Sequence, residues 1–360
     1  MNPTQQLHHL GQSLWLDNIT REILTNGTLR HYIDDLSVTG LTSNPSIFDL
    51  AIKNSDFYDD AIRQKTKEGK AGERLFFELA IEDLTQAANL FRPIYEATSG
   101  ADGWVSLEVS PLLAYDAANT VKTAVALRTQ AHRHNVFIKI PGTDEGLAAI
   151  EDAIFAGVPV NVTLLFSSGQ YIAAAEAYLR GIERRIAAGL DPKVGSVASM
   201  FISRWDQAVM GKVPEILQDR LGIAIAQRTY KAYRELLASP RWTKAFHEGA
   251  KPQRLLWAST GTKDPKASDI LYITALAAPD TINTIPEKTL LAFADHGMLG
   301  AVMPVNGGDA ETVIAEFAKA GIDDKKLAMD LQREGADNFV ASWKDLLACI
   351  ASKTTTLKEA

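Results

Sequence analysis

The chain of 360 residues contains a single cysteine, Cys349, which excludes an intrachain disulfide framework and any zinc site built on cysteine. Cys349 lies in an apolar helical pattern near the C-terminus, where a buried, inert thiol is expected. Long hydrophobic runs are also missing, so no segment is expected to span a bilayer. The opening Met1-Asn-Pro-Thr-Gln-Gln6 lacks the charged start and apolar stretch of a signal peptide, and a cytoplasmic location follows as the expectation. Basic residues never cluster into long runs and the net charge is −7, which argues against a nucleic-acid partner. A phosphorylated small molecule remains open, because a few local cations suffice to hold one. The histidines, His8, His9, His31, His132, His134, His247 and His296, show no metal-ligand spacing, and no metal centre is expected.

What is present is alternation. Short β-rich runs recur at Ser13–Asp17, Val38–Asn44, Trp104–Ser110, Val136–Pro141, Val160–Phe166, Gly195–Phe201, Leu255–Thr260 and Thr281–Ile285. Between them run stretches of helical periodicity, such as Leu113–Ala131 and Gln170–Ala187. Strands alternating with helices mean a parallel sheet. A nucleotide-binding open sheet would need a Gly-rich loop after the first strand, and Asn18-Ile-Thr-Arg-Glu22 stands there instead. Strand after strand ends in a polar side chain: Asp17, Asn44, Glu108, Lys139, Asn161 with Thr163, and Ser199. In a (β/α)8 TIM barrel such ends converge on one mouth, and that is the predicted fold. The expected organisation is one domain over 1–360, with a helical insertion at about 57–97 and a C-terminal helix at about 323–350 lying across the barrel. The polar tail Ser352–Ala360 is expected to fray.

Lys139 is the most demanding residue in this pattern. It interrupts the apolar strand Val136-Phe-Ile-Lys-Ile-Pro141, where an unpaired ammonium is costly and tends to shed its proton. Desolvation of that kind activates Schiff-base lysines, whereas a lysine paired with a neighbouring carboxylate is the structural alternative. Position alone leaves both open. The neighbouring strands add Asp17 and Glu108, and chemistry through an iminium needs both a base for a substrate hydroxyl and a shuttle for the protons of departing water. Together with the lysine, the carboxylates favour catalysis. Asn44 in Thr42-Ser-Asn-Pro45 is held extended by the proline. Asn161 and Thr163 lie two apart, on one strand face, and an inward amide and hydroxyl require partners.

These residues sit in segments that resemble transaldolases: LWLDNITRE (14–22), GLTSNPSIF (40–48), VSLEVSP (105–111), FIKIPGTDEG (137–146), NVTLLFS (161–167), SVASMFISRWD (196–206) and STGTKDP (259–265). The order is that of the family, and the likeness is closest to its longer bacterial type. The resemblance implies a metal-free, cofactor-free enzyme that moves a dihydroxyacetone unit between sugar phosphates, as a monomer or homodimer. It further implies that Lys139 forms the Schiff base, that Asp17 handles the C4 hydroxyl, and that Glu108 with Thr163 holds the catalytic water. Asn44, Asn161 and Ser199 would bind the dihydroxyacetone hydroxyls and Arg204 the phosphate. Where many relatives carry a second phosphate-binding arginine after strand seven, Ser259-Thr-Gly-Thr-Lys263 stands here, so Lys263 is the expected substitute and offers a point charge instead of a fork. Met200 replaces a common proline. Related small barrels cleave fructose 6-phosphate outright, and these tend to carry Gln where this chain has Glu108 and Tyr where it has Phe201. Both positions fall on the transferase side. A non-catalytic sugar-phosphate-binding barrel is the remaining alternative.

Overall fold

The computed structural model describes residues 1–359. Eight parallel strands, β1 (Ser13–Leu16), β2 (Val38–Leu41), β3 (Val105–Glu108), β4 (Val136–Pro141), β5 (Val160–Leu165), β6 (Ser196–Phe201), β7 (Gln253–Ala258) and β8 (Ile282–Ile285), follow one another around a closed barrel, with β8 paired back to β1. Helices follow the strands and pack outside them, so the predicted (β/α)8 barrel is the observed fold.

The two-residue period of a strand sorts the barrel interior into layers. Trp15, Trp104 and Phe137 fill the lower layer, with the rings of Trp104 and Phe137 stacked at 3.9 Å. Gly40 admits this plug, since a Cβ there would lie 2.7 Å from the Trp15 ring. The Trp15 indole N–H donates to Asp102 at 2.8 Å, which satisfies the polar edge of the buried ring. Two residues further along each strand come Asp17, Ser106 and Lys139, with Glu108 two beyond Ser106. A dense aromatic floor therefore lies beneath the polar layer.

Several predicted strands overrun the observed ones at their C-terminal ends. The ladder hydrogen bonds persist briefly, with Asp17 N–H donating to Ile285 O at 2.8 Å and Thr42 N–H to Leu16 O at 2.9 Å, but the chain then turns outward. Asn44 lies past the end of β2 and caps the helix Pro45–Lys53, accepting from Ile47 N–H at 3.1 Å. The predicted helix Leu113–Ala131 is broken near its start. Asp116 accepts from Asn119 N–H and begins a new helix, Ala117–Ala131, after a short 3₁₀ turn. The helix Ser168–Ala187 is opened by a capping box between Ser167 and Gln170.

The region predicted as a helical insertion holds the helices Asp59–Lys67 and Gly72–Ala97. The C-terminal helix runs from Asp324 to Glu359, so the expected fraying from Ser352 onward is not observed; Ala360 lies outside the described residues. Lys353 explains the persistence. Its ammonium donates to the carbonyls of Ile52 and Ser55 and lies 2.8 Å from Asp59 Oδ1, which ties the last turns to the end of the helix Pro45–Lys53 and to the start of the helix Asp59–Lys67. Cys349 is half-buried at this junction instead of fully buried as expected. Burial and the neighbouring Asp49 push its thiol up, which disfavours the reactive thiolate. Among the described residues no helix is long and apolar enough to cross a membrane.

Candidate active site

At the C-terminal mouth of the barrel lies a narrow cavity of about 140 Å³, lined by Asp17, Thr42, Asn44, Lys139, Thr163, Ser199, Phe201, Arg204 and Lys263, with Phe339 from the C-terminal helix. Arg204, Ser259 and Lys263 also line a wider cavity of about 500 Å³ further out, which is walled by Leu331, Glu334 and Asn338 of the same helix. A reacting carbonyl at Lys139 and a charged group between Arg204 and Lys263 would occupy the two ends of this space.

Strand register builds the floor. Glu108 pairs with Lys139 across β3 and β4, and Lys139 pairs with Asn161 across β4 and β5, so three polar side chains stand in a row. Lys139 Nζ lies 3.2 Å from Glu108 Oε2 and donates to Ser43 O at 3.1 Å. Lys139 is thus both ion-paired and open to the cavity, which joins the two roles that position alone left open. Glu108 is only 4 % exposed. Burial raises its carboxyl above the usual range, and Lys139 pulls it back. Among the described residues, Glu108 Oε1 and Thr163 Oγ1 are both buried without a hydrogen-bond partner. Such atoms in a native interior call for a partner from outside the chain.

Asp17 stands on the opposite wall. Its Oδ1 accepts from Thr42 Oγ1 at 2.8 Å, and Thr42 Oγ1 lies 2.6 Å from Thr284 Oγ1. A hydroxyl has one proton, so Thr42 can donate to the carboxylate only if Thr284 donates to Thr42. Burial raises Asp17, while Lys139, the Thr42 hydroxyl and Lys263 hold it down.

The amides behave differently from each other. Asn161 is completely buried and satisfied within the protein, donating to Ser106 Oγ at 3.1 Å and accepting from Ser199 Oγ at 2.7 Å. The partners it needs come first from the chain, and Ser199, not Asn161, lines the cavity. The Asn44 carbonyl oxygen is spent on its helix cap, which leaves the Nδ2 group for the cavity.

Arg204 is held by its neighbours in sequence. The helix Ser203–Val209 is fixed by Trp205 Nε1–H donating to Phe166 O at 3.0 Å and by Asp206 accepting from Leu221 N–H at 2.9 Å. Arg204 then projects to the cavity with its guanidinium 5.0 Å from the Phe201 ring centroid and 5.9 Å from that of Phe339. Of the site residues expected from the sequence, Asp17, Asn44, Lys139, Thr163, Ser199, Phe201, Arg204 and Lys263 line this cavity, whereas Glu108 and Asn161 lie behind it, bonded to Lys139 and Ser199. Those not anticipated are Thr284, whose strand carried no isolated polar ending, and Phe339, which reaches the site from a helix more than a hundred residues after the last catalytic strand end. Thr42 was visible in the Thr42-Ser-Asn-Pro45 segment but without a role.

The sequence model of the family described as Transaldolase/Fructose-6-phosphate aldolase matches residues 14–350. A protein of Arthrobacter sp. named transaldolase is 42% identical over 367 residues, covering 99% of this chain and 99% of its own. One of Thiobacillus denitrificans, with the same name, is 42% identical over 358 residues, covering 97% of this chain and 100% of its own. One of Thermobifida fusca, also named transaldolase, is 42% identical over 361 residues and 98% of each chain. With a matching model over almost the whole length and relatives of this identity, the chain is an enzyme of the transaldolase/fructose-6-phosphate aldolase family.

Proposed function

We propose that the protein is a transaldolase that carries a dihydroxyacetone unit on Lys139 from a ketose phosphate to an aldose phosphate. Sedoheptulose 7-phosphate and fructose 6-phosphate are the donors, and glyceraldehyde 3-phosphate and erythrose 4-phosphate the acceptors, in the non-oxidative pentose phosphate pathway. The observation that carries this reading is the Lys139–Glu108 pair, 3.2 Å apart, at the base of a cavity that also presents Asp17, Thr163 and Ser199.

Lys139 Nζ gives a proton to Glu108 and, as the neutral amine, attacks the C2 carbonyl of the donor. Glu108 moves the protons that let water leave the carbinolamine, and the unpartnered Glu108 Oε1 and Thr163 Oγ1 suit the holding of that water. Asp17 then takes the proton of the C4 hydroxyl as the C3–C4 bond breaks and the aldose departs. The three-carbon enamine stays attached and adds to the carbonyl of the acceptor, with Asp17 returning the proton. Water then adds at C2 of the resulting iminium with Glu108 moving its protons, and the carbinolamine collapses to release the new ketose phosphate and restore Lys139. Asn44 and Ser199 hold the hydroxyls of the retained unit, and Asn161 orients Ser199. Phe201 offers no hydroxyl at a position where a tyrosine would place one. Arg204 and Lys263 hold the substrate phosphate at the outer end.

The enzyme works in the cytoplasm, as one domain and as a monomer or homodimer, on small phosphorylated sugars without a metal or other cofactor. The test is borohydride reduction in the presence of fructose 6-phosphate, followed by peptide mass spectrometry. A reduced three-carbon adduct on Lys139 is expected, and active enzyme with Lys139 unmodified would overturn the reading. A coupled assay for glyceraldehyde 3-phosphate, run with and without erythrose 4-phosphate, separates the family's two activities. Release that depends on the acceptor supports transfer, and release without it supports the simple aldolase.

A further inference from the structure

The C-terminal helix bears on the reaction directly. Gln332 Nε2 donates to Gly142 O and to Leu164 O, each at 2.9 Å, and so grips the chain just past the end of β4 and near the end of β5. Leu164 is held in the left-handed region at φ 61°, an uncommon conformation for a branched side chain, directly after Thr163. One turn further on, Gly335 lets the helix approach closely: a Cβ there would lie 2.9 Å from Leu164 Cδ2 and 3.2 Å from Arg204 Nη1. One turn further still, on the same face, comes Phe339. Its ring is 8 % exposed, lines the narrow cavity and has its centroid 5.9 Å from Lys139 Nζ. It also packs edge-on against Phe201 at 6.5 Å. The grip at Gln332 and the gap at Gly335 thus deliver an apolar ring to the space above the amine.

That placement matters at one step. Once the aldose has left, the neutral enamine on Lys139 faces two electrophiles. If a proton reaches C3, the iminium re-forms, water adds at C2, and dihydroxyacetone leaves with the amine restored; the net result is cleavage. If the acceptor carbonyl reaches C3 first, a C–C bond forms, the carbonyl oxygen is protonated, and water then releases the longer ketose from the iminium with the amine restored; the net result is transfer. An apolar ring over the nitrogen disfavours ordered water there, while the outer cavity still admits an aldehyde phosphate. We propose that Phe339 is a specificity-determining residue that keeps water from the enamine and so sets the ratio of transfer to cleavage. The proposal rests on the transaldolase reading above.

The experiment compares the full-length enzyme with Phe339→Leu and Phe339→Ala. Glyceraldehyde 3-phosphate release from fructose 6-phosphate is measured without acceptor and with erythrose 4-phosphate, and borohydride trapping on Lys139 is measured alongside. The ratio of acceptor-free to acceptor-dependent turnover should rise about tenfold in Phe339→Ala, the factor of 1.4 kcal/mol in a barrier. Phe339→Leu, which keeps apolar bulk, should show a smaller rise in the same direction. If Phe339→Ala does not fold, the sign of the change in Phe339→Leu decides. Both activities falling together, with the ratio unchanged in the variants while Lys139 is still trapped, would overturn the proposal and leave the transaldolase reading standing. Absence of a trapped adduct in the wild type would instead overturn that reading, and this proposal with it.

Discussion

Replacing Thr42 by valine removes the only side-chain hydrogen bond at Asp17 among the described residues and leaves the shape of the residue nearly unchanged. Thr42 is 3 % exposed, and its hydroxyl lies 2.8 Å from Asp17 Oδ1 and 2.6 Å from Thr284 Oγ1. A hydrogen bond to an ionised group contributes about 1.5–3 kcal/mol, so kcat/KM near neutral pH should fall roughly 10- to 100-fold. The sign of the pH effect follows from the same bond. The Thr42 hydroxyl favours the charged carboxylate and opposes the burial that raises Asp17. Without it, burial acts with less opposition, and Asp17 must be ionised to accept the C4 hydroxyl proton. The acid limb of the kcat/KM profile therefore moves to higher pH. Thr42→Ser keeps the donor and should restore the wild-type limb. Thr284→Val removes only the donor to Thr42, a neutral bond of about 1 kcal/mol, and should shift the limb in the same direction by less. The assay is acceptor-dependent transfer measured across the pH range. A Thr42→Val profile that keeps the wild-type acid limb and loses only height would refute the reasoning.

Other consequences can be measured in the same preparations. Glu108→Gln takes away the proton shuttle beside Lys139 and should lower kcat by about 10²–10⁴, with the rate of borohydride trapping falling in parallel; trapping at the wild-type rate would be inconsistent with the role. Arg204→Lys loses both the planar fork and the packing against Phe201 and Phe339, so KM for fructose 6-phosphate should rise about tenfold or more while the use of unphosphorylated fructose changes little. Lys263→Ala should act in the same direction by a smaller factor, and an equal loss with both sugars would place Lys263 elsewhere than at phosphate. Asp206 has its carboxyl pushed up to about 6 by burial, from an ordinary value of 3.8, against the donors Tyr272, Gly222 and Leu221. The native state holds that proton more tightly than the unfolded chain does. Its stabilising contribution is therefore full below about pH 4 and is lost as pH rises through about 6. The Tm of the wild type should fall relative to that of Asp206→Asn between these values, and a constant difference would exclude the effect.

Much of this was legible because strand chemistry is local. A lysine in Val136–Pro141 and carboxylates at Asp17 and Glu108 are costly where they stand, and the β/α alternation tells which ends they share. The two-residue period placed Asn161 and Thr163 on one face correctly. What the sequence did not reveal depends on contacts between distant segments. Asn161 was expected to reach substrate, yet Ser106 and Ser199, on two other strands, satisfy it first. Phe339 looks like one more apolar residue on an amphipathic helix, and only the path of that helix over the mouth separates it from the core. The stability of the last helical turns likewise depends on Lys353 finding carbonyls about three hundred residues earlier in the chain.

The two carboxylates lie in one electrostatic frame, and this bears on how the enamine is kept. Burial raises both Asp17 and Glu108, and the positive charge on Lys139 lowers both. In the proposed cycle the nitrogen is cationic as the iminium and neutral as the enamine. Bond cleavage converts a buried pair of opposite charges, iminium and Asp17 carboxylate, into a neutral enamine and a protonated Asp17. Low dielectric favours this neutralisation, because neither charge is then left unpaired. Loss of the cation also removes the main influence holding Asp17 down, so its proton is retained until a carbonyl arrives to take it. An acid poised beside a neutral enamine is also a hazard, since the same proton delivered to carbon would end in cleavage. The distribution of groups separates these outcomes. Thr42 and Thr284 fix Asp17 on one wall, Glu108 lies below the nitrogen, and the side toward solvent is covered by Phe339 and Phe201. The polar groups thus serve proton transfer to oxygen, and the aromatic pair covers the route by which bulk water would reach the enamine.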